Sequence, residues 1–386
     1  MDFAYSDEQR LIIDSARAFV ERELIPLEDE IEHVGHVAPS LHEKVRGAAI
    51  AAGFYAANMP AEFGGGGLGT LDATLLDREL GRASYALQNL VARPSNILRA
   101  CRGEQVAQYL LPTICGERLE CLALTEPEAG SDLRSMRTTA RRDGEHWVVN
   151  GSKHFISRAD IADYAVLFAA TGSDESGQRP RKRITAFLVD KGLPGFSVRD
   201  GYRGLCHPGY RNAILEFADC RVPAGNVLGE VHRGFDVANT WLGTTRLQVA
   251  VMALGRAHRA LDAATDWAAN RRQFDRTIGS FQGVSFKLAD MKTELAAAEW
   301  LTLHAAWLND QGAMQPEFAS MAKLYTTEML GRLADSAVQI LGGMGVMLDT
   351  PIARIWRDAR VERIWDGTSE IQRHIISRAM LRPLER

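Results

Sequence analysis

The sequence has little net charge and no long apolar segment. Its 386 residues include 45 lysines and arginines against 49 aspartates and glutamates, a formal charge of −4, so no overall positive field would attract nucleic acid or an anionic membrane. No apolar run reaches the roughly 18 residues that a membrane helix needs, and the N-terminal MDFAYSDEQR lacks the basic and apolar regions of a secretory signal. We therefore expect a soluble, cytoplasmic protein without a nucleic-acid or membrane partner.

Cysteines and nucleotide-binding glycine motifs are also scarce. The five cysteines include no C-x-x-C pair, and their odd number favours reduced thiols over a disulfide framework or a zinc site. The run Gly64 to Gly67 has no Walker lysine after it, so it is predicted to be a turn between helices. The later cluster LGGMGV does not spell G-x-G-x-x-G after a strand, which argues against a nicotinamide-binding Rossmann domain.

Hydrophobic patterning divides the chain into three regions. Residues 1–120 have apolar residues at helical spacing, residues 121–230 have short β-rich runs, and residues 231–386 return to long helical patterns. This order predicts an α+β fold with an N-terminal helical domain, a middle β domain (barrel or sheet) and a C-terminal helical bundle. The polar segment 172–183 is predicted to be an exposed hairpin loop.

Five long helices are predicted in the C-terminal region, at about 232–270, 280–310, 317–341, 352–361 and 369–381. Trp241, Phe281 and Trp300 fall near or within these patterns. Single aromatic residues at helical spacing usually pack in a core, so all three are predicted to be core residues.

Several separated motifs together resemble one family over nearly the whole chain. They are LTEPEAGSD (124–132), NGSKHFIS (150–157), RRQF followed by IGSFQ (271–282), QILGGMG (339–345) and WDGTSEIQR (365–373). In this order and spacing they resemble the acyl-CoA dehydrogenases. The resemblance implies bound FAD, an acyl-CoA substrate, an electron-transfer flavoprotein as electron acceptor, and a homotetramer built as a dimer of dimers.

The resemblance implies flavin contacts from the middle domain. Leu124 and Thr125 match residues at the pyrimidine edge of the isoalloxazine, where donors stabilise charge on the reduced ring. Phe155 and Ser157 match an aromatic-x-hydroxyl pair beside the ring and its N5. Ser131 matches a residue near the pyrophosphate or the thioester arm of the substrate.

Further contacts are implied in the C-terminal region, where the adenosine half of FAD is completed by a neighbouring subunit. Arg271 matches an arginine that reaches the partner's FAD pyrophosphate, a task that suits a planar, permanently charged side chain. The remaining residues that match the family's cofactor contacts are Phe274, Gln282, Gln339, Gly342, Gly343, Thr368 and Glu370.

Asp366 stands where the family usually has its catalytic glutamate, and Trp365 precedes it in place of tyrosine. The dehydrogenation needs a carboxylate to remove the α proton, and Asp366 is therefore predicted to be the base, with a structural role or lost activity as the alternative. Some relatives use a glutamate before the arginine of the first long C-terminal helix, but Thr245 occupies that position. Arg246 and Gly367 match substrate-binding positions, and burial is expected to raise the pKa of Asp366.

Aspartate is shorter than glutamate by about 1.5 Å of reach, so either the α carbon of the substrate lies closer or the proton is removed elsewhere on the substrate. Gly243 and Asp275 are two further departures from the family pattern. The segment 87–101, which lines the acyl pocket in relatives, is more polar than a fatty-acyl tunnel needs, and a surface loop is the alternative explanation of this polarity. A short, cyclic or polar acyl group is expected. An oxidase, an enoyl-thioester reductase, a dehydrogenase of carrier-protein thioesters and a non-catalytic FAD-binding protein remain alternatives.

Overall fold

The N-terminal region is helical, as predicted. The computed structural model describes residues 4–175 and 181–384. In the first helix Ile13, Ala16 and Phe19 lie on the buried face, and reciprocal hydrogen bonds between Ser6 and Gln9 cap its N-terminus. The α-helices here are α1 (Asp7–Phe19), α2 (Glu28–Val34), α3 (Pro39–Ala51), α4 (Thr70–Leu80), α5 (Tyr85–Val91) and α6 (Leu111–Ile114).

The middle region forms one mixed sheet of eight strands. These are β1 (Glu120–Ala123), β2 (Thr139–Asp143), β3 (His146–Ser157), β4 (Tyr164–Asp174), β5 (Arg181–Asp190), β6 (Phe196–Asp200), β7 (Asn212–Pro223) and β8 (Val227–Leu228). Their order is β6-β7-β3-β2-β4-β5-β8, and β1 pairs in parallel with β4.

The prediction of a loop over 172–183 was wrong at both ends. Gly172 pairs with Arg183, and Asp174 pairs with Arg181, so β4 and β5 continue well into the segment. Backbone pairing with the adjacent strand overrides the polar composition there. Residues 176–180 of the predicted loop lie outside the described residues.

The sheet separates two hydrophobic cores, because alternate residues of a strand point to opposite faces. Tyr164, Val166 and Phe168 of β4 pack with the N-terminal helices, while Ala165 and Leu167 join residues of β3, β5 and β7 in a second core. The sheet is thereby held against the N-terminal helices, which fixes the loops at its edges.

The C-terminal region is a helical bundle with its own core. It comprises α7 (Gly234–Asn270), a hairpin of β9 (Arg272–Gln273) and β10 (Arg276–Thr277), then α8 (Gln282–Asp310), α9 (Pro316–Leu341), α10 (Pro351–Glu362) and α11 (Ser369–Leu381). Buried residues of α7, α8, α9 and α10 form this core. The predicted fold class is confirmed.

The prediction that Trp300 is a core residue was wrong for the single chain. The residue is 52% exposed, whereas Leu303 and Ala306 of the same helix, α8, are buried. Trp241 does pack against the core, in part buried. Among the described residues, none of the helices is both long enough and apolar enough to cross a membrane.

Candidate active site

Asp366 lies on a tight turn between two helices of the bundle. Helix α10 ends at Glu362, and Thr368 caps α11 by accepting a hydrogen bond from the backbone N–H of Ile371 at 3.3 Å. Between them the backbone is left-handed, with φ of +52° at Asp366 and +95° at Gly367. A Cβ on Gly367 would lie 2.7 Å from Gln372 Nε2, so the turn requires glycine there.

The carboxyl of Asp366 is enclosed by protein atoms, although the residue keeps some access to solvent. Burial raises its pKa to about 6; Lys323 and Arg246 oppose this rise, and Glu362 adds to it. The carboxyl is therefore a stronger base than an ordinary aspartate and is still mostly ionised at neutral pH. The predicted direction of the pKa shift agrees with the structure.

The indole of Trp365 fixes one side of this turn. Its ring stacks on that of His207, with centroids 5.1 Å apart and planes at 11°, and its Nε1 donates to Glu362 Oε2 at 2.9 Å. His207 itself lies between Asp358 and Glu362, with each N–O distance 3.3 Å. Burial lowers the pKa of His207, but the two carboxylates reverse that effect and leave it raised. Stacking on His207 and a hydrogen bond to Glu362 thus hold the tryptophan.

Arg246 approaches the same carboxyl from α7. Its Nε is buried and has no hydrogen-bond partner among the described residues, and burial lowers its pKa while Asp366 opposes that effect. A buried N–H without a partner is costly, so it suits a ligand acceptor. Thr245, beside it, is buried and carries no acid group.

Aromatic rings surround Trp365, the neighbour of Asp366 in the sequence. The ring centroids of Tyr85 and Trp365 are 4.8 Å apart, and those of Tyr85 and Tyr210 are 4.5 Å apart. Burial raises the pKa of Tyr85, and Tyr210 and Asp366 raise it further, so its hydroxyl stays protonated.

A buried ion pair fixes the loop that holds Leu124 and Thr125. Lys153 of β3 is fully buried, and its Nζ donates to Glu126 Oε1 at 2.7 Å and to the Leu124 carbonyl at 3.0 Å. The backbone N–H of His154 donates to the Thr125 carbonyl at 2.8 Å. Two of the sequence motifs therefore lie side by side, one on the loop after β1 and the other on β3.

The aromatic-x-hydroxyl pair lies close by, at the C-terminal end of β3. Phe155 has a φ of +57° and is 57% exposed, and its ring lies 5.0 Å from that of Tyr202. An exposed phenyl ring beside the Thr125 loop presents the apolar face that a flavin ring needs. Ser157 is half-buried nearby on β3, and Ser131 is exposed. These residues fit an isoalloxazine.

The C-terminal candidates form a second, exposed group. Arg271 caps the C-terminus of α7 and is exposed, and Phe274, in the turn of the β9–β10 hairpin, is 87% exposed. Gln282 begins α8 and is exposed. At the end of α9, Gln339, Gly342 and Gly343 are exposed, and the φ of +63° with ψ of −134° at Gly342 is open only to glycine. An exposed arginine and a bare backbone suit an anionic nucleotide.

The two groups of candidates are not joined within one chain. Among residues 4–175 and 181–384, no hydrogen bond links the Leu124 to Ser157 group to the Arg271 to Gly343 group. Thr368 serves as a helix cap, and Glu370 is exposed beside it.

Sequence reasoning missed three groups of residues around the site. They are the Lys153–Glu126 pair, the His207 cluster and Lys323 on α9. Lys153 and Glu126 lie inside the recognised motifs, and Lys323 is a lone lysine in the apolar helical run FASMAKLYTT. The apolar run around Lys323 could have indicated a buried charge, whereas no sequence pattern around His207 indicated its role.

The chain matches three family profiles that together span nearly its whole length. They are "Acyl-CoA dehydrogenase, N-terminal domain" over residues 6–117, "Acyl-CoA dehydrogenase, middle domain" over 121–220 and "Acyl-CoA dehydrogenase, C-terminal domain" over 232–381.

Known proteins similar to the chain over its full length include reductases and a dehydrogenase. It is 37% identical to acryloyl-CoA reductase (NADH) of Anaerotignum propionicum, covering 99% of this chain and 96% of that protein. It is 35% identical to the caffeyl-CoA reductase-Etf complex subunit CarC of Acetobacterium woodii, covering 98% and 99%. The structure of butyryl-CoA dehydrogenase from Megasphaera elsdenii superposes with a TM-score of 0.91 at 33% identity, covering 99% and 100%.

The three profiles, these relatives and the shared three-domain fold give one conclusion. The chain belongs to the acyl-CoA dehydrogenase family and is an FAD-dependent oxidoreductase.

Proposed function

We propose that the protein removes the α and β hydrogens of an acyl-CoA thioester, with Asp366 as the base. The observation that carries this proposal is the position of Asp366, a buried carboxyl with a pKa of about 6 on a rigid left-handed turn. An acid of this strength is ionised at neutral pH and is poised for proton transfer.

The residues of the chain supply the acid–base and binding steps. The α C–H bond breaks as Asp366 accepts its proton, and the electron pair forms the carbon–carbon double bond while the β C–H bond breaks. The backbone N–H of Asp366 polarises the thioester carbonyl, which acidifies the α proton. Gly367 and Arg246 hold the thioester arm, and Ser131 contacts the same arm or the pyrophosphate. When bound, FAD accepts the hydride from the β carbon.

We propose that the exposed C-terminal group completes the cofactor site of a second copy. Arg271, Phe274, Gln282, Gln339, Gly342 and Gly343 then contact the neighbour's FAD, whereas Leu124, Thr125, Phe155 and Ser157 contact the chain's own flavin ring, with Thr368 and Glu370 near the ADP moiety. The support is the exposure of the first group and the separation of the two groups within the chain. The assembly is a homotetramer built as a dimer of dimers.

A second candidate function is the reverse reaction, reduction of an enoyl-CoA. The names of the two reductases favour it, and the same residues serve it, since Asp366 would then return a proton to the α carbon. In either direction we propose that an electron-transfer flavoprotein exchanges electrons with the enzyme, as the name of the caffeyl-CoA reductase-Etf complex suggests.

An anaerobic screen of acyl-CoA thioesters tests the proposal. Butyryl-CoA and compact cyclic or polar acyl-CoAs are mixed with the oxidised holoenzyme, and the flavin absorbance is followed. Bleaching with formation of one enoyl-CoA per FAD is the expected result. If no acyl-CoA bleaches the flavin, while an enoyl-CoA reoxidises the chemically reduced enzyme, the reductase function is the correct one. Neither reaction would contradict both functions and favour a non-catalytic FAD-binding protein.

A further inference from the structure

Lys323 is a buried lysine that the proposed mechanism does not use. It lies on α9, and the residue is 1% exposed. Its ammonium makes no ion pair with a carboxylate in the part of the chain that the structure describes. Burying an ammonium without a carboxylate in contact is costly, so a lysine at this position calls for a specific explanation.

The side chain of Lys323 contacts the turn that carries Asp366, residues 365–367, which we call the catalytic turn. Its Nζ donates to the carbonyl of Trp365 at 2.5 Å and also to the carbonyl of Gly367. These two carbonyls flank Asp366 on either side. One ammonium thus bridges the backbone across a residue whose φ of +52° is uncommon for any amino acid other than glycine.

We propose that Lys323 is a positioning residue for Asp366, which holds the left-handed turn through its two carbonyl contacts and favours the ionised carboxylate through its charge. The inference rests on the proposed role of Asp366 as the base.

The electrostatics around the turn agree with this role. Asp366 faces Lys323 on α9, Arg246 on α7, Glu362 at the end of α10 and Tyr85 on α5. Burial lowers the pKa of Lys323 to about 8, against the opposing effects of Asp366 and Glu362, so the ammonium is charged at neutral pH. Because Lys323 lowers the pKa of Asp366, its loss should raise that pKa and remove base at pH 6 to 7.

Gln372 provides a matched comparison. Its Nε2 donates to the same Gly367 carbonyl at 2.8 Å, but it carries no charge. Removing Gln372 takes away a neutral donor to the turn and leaves the ammonium in place. Any effect that depends on charge should therefore appear on changing Lys323 and not on changing Gln372.

The experiment measures flavin reduction by butyryl-CoA from pH 5.5 to 9 in stopped flow, for the parent holoenzyme and for Lys323→Gln, Lys323→Met and Gln372→Leu. Lys323→Gln keeps an amide donor and removes the charge, so it reports on charge even where Lys323→Met folds poorly. FAD content is measured for every variant as a check of folding.

We expect both Lys323 variants to shift the rate profile to higher pH by about one unit or more, which is roughly a tenfold slower reduction below pH 6. Above pH 8 the rate of Lys323→Gln should approach that of the parent. Gln372→Leu should keep the pH midpoint of the parent's rate profile. Unchanged profiles in both Lys323 variants, or a loss of rate that is equal at every pH and matched by Gln372→Leu, would overturn the positioning role. A parent enzyme that butyryl-CoA does not reduce would instead count against the proposed function on this thioester, and the inference would fall with it.

Discussion

The two halves of the proposed cofactor site are built in opposite ways. In the middle domain, the Leu124 to Glu126 loop is fixed by Lys153, which is fully buried and hydrogen-bonded inside the chain. On the bundle, Arg271 at the end of α7 and Phe274 on the hairpin that follows are both exposed. One half is thus completed by contacts of its own chain, while the other presents its residues outward.

The surface around the exposed half is also apolar. Met344, Val346, Met347 and Leu348, just after α9, are between 42% and 58% exposed. A contiguous apolar surface of this kind usually marks an interaction site. The comparison suggests that substitutions in the first half should destabilise the chain itself, whereas substitutions in the second should weaken cofactor retention and assembly.

The largest effect, a loss of stability of the chain, is expected from Lys153→Met. Loss of one partner leaves Glu126 buried without its cation, and breaking such a pair costs about 3–5 kcal/mol. The thermal unfolding temperature should fall, and FAD should be released with it. Lys191→Met is the control, since this exposed lysine of the same domain makes one surface hydrogen bond to the Asp160 carbonyl. Equal small shifts for the two variants would show that the buried pair does not hold the loop.

The next effect is expected from Arg271→Ala. Removing a charge-assisted contact should weaken FAD retention roughly tenfold to a hundredfold, with little change in the stability of the chain when FAD is present in excess. Retention is measured by dilution and filtration, and assembly by analytical ultracentrifugation. Arg276→Ala, on the second strand of the hairpin that follows Arg271, serves as the control. A monomer that holds stoichiometric FAD would show that the exposed group on the bundle is not needed to complete the cofactor site of a second copy.

A smaller effect, on the rate of flavin reduction, is expected from Asp366→Glu. This variant tests whether the catalytic turn is as firmly held by its own chain as the Leu124 to Glu126 loop is. The turn is held by Lys323, Gln372 and Trp365, so the longer side chain cannot be relieved by backbone movement. Flavin reduction by the native thioester should slow by about tenfold, the cost of crowding a packed site. A faster Glu variant would show that the short side chain is not matched to the substrate.

The sequence predicted the helical regions well and the site only in part. Helix α9 was placed at 317–341 and observed at Pro316–Leu341, because strong apolar periodicity and a proline at its start define it. The polar ends of β4 and β5 were missed, since strands with polar residues on both faces carry no alternation. Likewise, the periodicity of α8 indicated a helix, but it could not show that the face with Trp300 would be the exposed one.

The site residues also include some that the sequence could predict and some that it could not. The motif residues could be recognised because each lies in a short run with a characteristic pattern. The effect of Lys323 and Glu362 on the pKa of Asp366 could not be predicted, since these residues lie on different helices that only folding brings together. The raised pKa of Asp366 could be expected from burial, but its dependence on Lys323 could not.

The central claim is that Asp366 removes the α proton, and Asp366→Asn tests it most directly. Asparagine keeps the size of the side chain but cannot accept the proton, so anaerobic stopped-flow reduction should slow by about 10²–10⁴-fold with FAD still bound. In the parent, the rate should rise with pH up to about 6 and level off above it, because only the ionised carboxylate is a base. An asparagine variant that reduces its flavin as fast as the parent would contradict the account.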